Sequence, residues 1–97
     1  MTFEEFRQSA TGSSGAPPPG LSGALQALWF DARGDWDKAH EQAQNDRTRD
    51  GSWVHAYLHR KEGDVGNAGY WYSRAGRPAV GGSLGDEWQT IVKALLS

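Results

Sequence analysis

From Leu21 onward, apolar residues return every three or four positions. Leu21, Ala24, Leu25, Leu28, Trp29 and Ala32 form one stripe, and Trp36, Ala39, His40 and Ala43 a second. Trp53, Val54, Tyr57, Leu58 and the stem of Lys61 form a third, and Val65, Ala68, Trp71, Tyr72 and Ala75 a fourth. Leu84, Trp88, Ile91, Val92 and Leu95 complete a fifth. This is the period of amphipathic helices; a half-buried strand would alternate every second residue. Gly34, Gly63 and the Gly76/Pro78 pair mark helix ends, because glycine accepts the left-handed conformation that closes a helix. Asp35, Asp64 and Ser83 are placed to cap the helices that follow, and Asp50 is the expected cap of the third. The second helix fades between Asn45 and Arg49, where no apolar residue supports it.

Ahead of this body, Thr2 and Glu5 have capping-box spacing, and Phe3 and Phe6 lie one turn apart. One or two helical turns are expected over residues 3–10, and the two phenylalanines favour docking on the body. Residues 11–20 read as a linker, loosened by Gly and Ser and stiffened by Pro17, Pro18 and Pro19. The expected organisation is an N-terminal segment and Pro/Gly linker over 1–20, then a helical-hairpin domain over 21–97. The fold class is all-α: two antiparallel helical hairpins, a C-terminal closing helix and a short N-terminal helical segment.

The hairpins repeat. At an offset of 29 residues, Ala27 matches Ala56, Gly34 matches Gly63, Asp35 matches Asp64 and Ala39 matches Ala68. Small alanines at these places let two helices cross closely. GDWDKA, residues 34–39, resembles the Gly-Asp turn of tetratricopeptide repeats. Ala68, Trp71, Tyr72, Arg74 and Ala75 resemble the ending of the related Sel-one-like repeats. The resemblance implies stacked helix-turn-helix units that present a groove or face to a partner. The offset is shorter than the roughly 34 residues of tetratricopeptide arrays.

Charge and composition narrow the function. The net charge is −2 with both signs interspersed, which argues against nucleic acid or an anionic membrane as the partner. No apolar run approaches the roughly 20 residues of a membrane span. Met1–Arg7 carries Glu4 and Glu5 and does not read as a signal peptide, so the expected location is cytoplasmic. There is no Cys, which excludes disulfides and thiolate metal sites. No cysteine nucleophile and no P-loop lysine is present, and no catalytic residue and no cofactor is expected. VGGSLGDE, residues 80–87, reads as a flexible connection.

Two constellations remain. The first is a binding surface of Phe30, His55, His59, Glu62, Tyr70, Arg74 and Arg77, joined by Arg60. Phe30 and Tyr70 lie off their helices' apolar faces, and arginine with aromatic side chains suits protein contacts. The second is His55, His59 and Glu62, spaced i, i+4, i+7 along one helical stripe. Two histidines one turn apart can ligate one metal, with a carboxylate or an added His40 or Asp64 completing the set. His40 alone reads as a partly buried histidine bonded to a carbonyl or an Asp. The leading expectation is a non-enzymatic protein- or peptide-interaction domain, able to form a homodimer through its open stack end. The alternative is a small metal-dependent enzyme or ligand-binding protein using His55, His59 and Glu62.

Overall fold

A computed structural model describes residues 1–97, folded into six α-helices with no strand. They are α1 (Phe3–Thr11), α2 (Gly23–Ala32), α3 (Trp36–Asn45), α4 (Arg49–Glu62), α5 (Val65–Ala75) and α6 (Leu84–Leu96). No helix is long and apolar enough to cross a membrane.

α2 turns back into α3, and α4 into α5, through turns with the same bonds. Gly34 and Gly63 take φ of 76° and 89°. The amide of Asp35 donates to the Phe30 carbonyl at 3.0 Å, and that of Asp64 to the His59 carbonyl at 2.9 Å. Each Asp side chain then accepts from the amide three residues on, Lys38 or Asn67. One short sequence thus satisfies the last carbonyls of one helix and the first amides of the next.

α4 is the central helix. Every residue from Gly51 to Leu58 is buried, and α4 packs against α2, α3, α5 and α6. Its cap is Thr48, whose hydroxyl accepts from the Gly51 amide, and not the expected Asp50, which lies in the first turn. The cause is Asp46. One of its carboxylate oxygens accepts from the Thr48 amide at 2.9 Å and the other from the Ala24 amide at 2.9 Å. Asp46 is itself the C-cap of α3, so one side chain fixes three helix ends.

α1 docks, as the two phenylalanines lead one to expect. Phe6 and Ala10 are fully buried in the same core as α2, α4 and α6. Phe3 and Phe6 pack on Trp88, and the Trp29 indole donates to Ser9 Oγ at 3.1 Å. Arg33 closes the seam by donating to the carbonyls of Ala10 and Gly12. Residues 1–20 therefore share one hydrophobic core with 21–97. Val65, assigned to the fourth apolar stripe, is 74% exposed, because it opens α5 beyond the reach of α4.

Two buried carboxylates anchor α4 from either side. Asp31 accepts from the Tyr57 hydroxyl at 3.0 Å and from Lys61 Nζ at 2.7 Å. Glu87 accepts from Arg60 Nη1 at 2.9 Å and from the Tyr72 hydroxyl. Burial, and then the neighbouring carboxylate, raise both phenols well above the ordinary tyrosine range.

Candidate metal centre

α3 carries His40 in its second turn, and α4 carries His55 and His59 one turn apart. Packing of α3 on α4 brings all three rings together. His40 Nε2 and His55 Nε2 are 3.1 Å apart, and one ligand nitrogen from each of the three histidines lies within 4.8 Å of the others. The partner of His40 is therefore another imidazole, not the expected carbonyl or Asp.

Aromatic rings fix these imidazoles. Trp71 of α5 stacks on His55 with centroids 4.0 Å apart, and His59 stacks on His55 at 4.8 Å. Trp36, one turn before His40, lies parallel to it at 5.6 Å. His55 is buried, and that burial, followed by the nearby His40 and His59, pushes its pKa down to about 4. At neutral pH its ring is uncharged, so one of its two nitrogens carries a lone pair.

The spacing suits a transition metal. Tetrahedral zinc with Zn–N bonds of about 2.0–2.1 Å separates its nitrogen ligands by about 3.3 Å. The His40–His55 pair already stands close to this, and a His59 nitrogen lies within 4.8 Å of both. Neutral imidazoles suit zinc, copper, nickel and iron, and disfavour calcium and magnesium, which take oxygen ligands.

Glu62 takes a different place from the one its spacing suggested. It does not join His55. Its carboxylate lies 3.5 Å from Nδ1 of His59, with Asp64 Oδ2 3.8 Å from the same atom. His59, Glu62 and Asp64 form a second group that shares His59 with the first. Hydrogen bonds from the Asn67 side chain and backbone hold the Asp64 carboxyl below its usual pKa, so it is ionised.

Of the expected binding surface, Tyr70 and Arg74 come together beside Trp71, which stacks on His55, while Phe30 stands apart. Phe30 is partly buried, edge-on to Trp29 and beneath Lys38, on a helix that does not pack against α5. Tyr70 is exposed, with Arg74 Nη1 donating to its hydroxyl at 3.0 Å. Arg77 lies over Trp53 with its guanidinium 3.9 Å from the ring centroid. Trp71, assigned to the core, is partly buried and lies beneath Arg74. Arg60, grouped with the surface arginines, is held by buried Glu87.

The sequence reading passed over Asp31, Glu87 and Asp46. A signal for the first two existed. Asp31 continues the Ala24–Leu28 row and Glu87 the Leu84–Ile91 row, so each puts a carboxylate on a core-facing stripe. Asp46 carries no such pattern, because its partners come from two other helices.

No protein-family model, curated protein or solved structure matches this chain.

Proposed function

We propose that this chain is a helical domain that binds one divalent transition-metal ion through His40, His55 and His59. The observation that carries the reading is the convergence of three imidazoles from two helices within 4.8 Å. Aromatic stacking supports it by limiting how far the rings can turn away. The neutral state of His55 supports it further, since a metal ligand must give up its proton.

Such an ion would clamp α3 to α4. α3 buries little besides Ala39 and Ala43, so a bond between the hairpins adds much to what holds it. Calorimetric titration of untagged protein with Zn2+ should show one site per chain. At about a hundredfold excess over Kd, binding stabilises the fold by about 2.7 kcal/mol, which raises Tm by about 10 °C or more. His40→Ala and His59→Ala should abolish the shift. If wild-type protein takes up no Zn2+, Co2+, Ni2+ or Cu2+ at neutral pH, the reading fails.

A second reading has its own observation. Val65, Tyr70 and Val80 are large apolar side chains left exposed on α5 and the loop that follows it. Together with the tetratricopeptide-like turns, they support an interaction surface on the outer face of α5, used for a protein partner or a second copy of the chain.

A further inference from the structure

We infer that Glu62 and Asp64 form the outer half of the metal centre, orienting His59 and offsetting the charge of a divalent ion. This rests on the metal reading above and assigns residues that take no part in coordination. Nδ1 of His59 is buried and has no hydrogen-bond partner. A buried polar atom left in this way costs about 1–3 kcal/mol, which a carboxylate brought onto it would recover. Its nearest acceptors are Glu62 Oε1 at 3.5 Å and Asp64 Oδ2 at 3.8 Å.

The chemistry of imidazole links the two sides of the ring. A proton on Nδ1, directed at a carboxylate, leaves the lone pair on Nε2 for the ion. Histidine ligands in metal sites regularly donate their second nitrogen to a carboxylate, which fixes the tautomer and makes the ligand more basic. The two carboxylates have distinct parts. Asp64 is fixed, because it caps α5 and accepts from Asn67 Nδ2 at 2.7 Å. Glu62 sits at the free end of α4 with its side chain 45% exposed, and it can swing the short distance onto Nδ1.

Charge points to the ion. Three neutral imidazoles leave a divalent cation with its full charge, and two adjacent carboxylates offset it. A monovalent soft ion gains less from the same pair. Glu62 and Asp64 are thus positioning residues that favour divalent over monovalent ions.

The test uses the full chain and titrates Zn2+, Co2+ and Ag+ into wild type, Glu62→Gln, Glu62→Asp and Asp64→Asn. Asn is a good helix cap, so Asp64→Asn removes the charge and keeps the start of α5. Melting without metal verifies that each variant is folded. Glu62→Gln and Asp64→Asn should each weaken Zn2+ binding by about 10–100-fold. Both should alter the visible Co2+ spectrum and weaken Ag+ binding less than Zn2+, while Glu62→Asp recovers part of the Zn2+ affinity. If wild type binds Zn2+ through the histidines and both charge-removing variants keep its Kd and Co2+ spectrum, the inference is overturned and the metal site stands. If wild type binds no metal, both fall.

Discussion

Tyr57 and Tyr72 show how a single hydroxyl ties the core to pH. Tyr57 is 2% exposed and donates to the buried Asp31 carboxylate, and Tyr72 does the same to Glu87. Losing either proton would place a second negative charge beside the first in a poorly solvated place. In the unfolded chain these phenols ionise near pH 10, whereas in the fold they stay protonated to higher pH. Above pH 10 the unfolded state therefore binds fewer protons, and stability falls as pH rises. Tyr57→Phe should flatten the alkaline arm of the stability curve by up to about 1.4 kcal/mol per pH unit. Denaturant melts of wild type and variant between pH 9 and 11 provide the comparison. Parallel curves would mean that the phenol ionises as freely in the fold as in the unfolded chain.

At the level of helices, two glycines respond oppositely to the same methyl group. A Cβ at Gly51 would lie 2.0 Å from the Asp46 carbonyl oxygen, which is backbone and cannot swing aside. One at Gly66, inside α5, would meet open space. Gly51→Ala should destabilise the protein by about 1–3 kcal/mol, as overpacking does. Gly66→Ala should stabilise it by about 0.5–1 kcal/mol through helix propensity. Urea midpoints measure both, and an unchanged midpoint for Gly51→Ala would show that the α3–α4 connection is not tightly packed. The same connection explains what could be read in advance. The stripes and the Gly-Asp turns are local signals, so the helices and hairpins were legible from residue spacing. The cap of α4 was not, because Asp46 recruits Thr48 while holding α2. The site was half legible. His55 and His59 share a helix face, but whether His40 meets them depends on how α3 lies across α4. That angle is set by Asp46, Gly51 and the small Ala39 and Ala43, whose effect appears only once the helices are packed.

At the scale of the molecule, the exposed Val65 and Val80 line one recess with Ala68 and Tyr72 that no histidine enters, so the two readings of function can be tested separately. If the outer face of α5 pairs with a second copy, wild type should elute from gel filtration at a volume that depends on concentration. Val65→Ser with Val80→Ser should then elute as the monomer at every concentration, with metal uptake unchanged. A wild type that stays monomeric up to high micromolar concentrations excludes self-association. The rest of the architecture binds the parts together. α1 shares the core of α2, α4 and α6, and the buried carboxylates of α2 and α6 each hold two side chains of neighbouring helices. The Asp46 side chain adds a further constraint, because the starts of α2 and α4 and the end of α3 meet at a single residue. The same side chain closes the first hairpin on itself through Ala24 and reaches the entry to the second through Thr48. Peeling the second hairpin away would free the Thr48 amide and strip the cover from the buried stretch of α4, so the chain should melt in one step, like a knot with a single crossing.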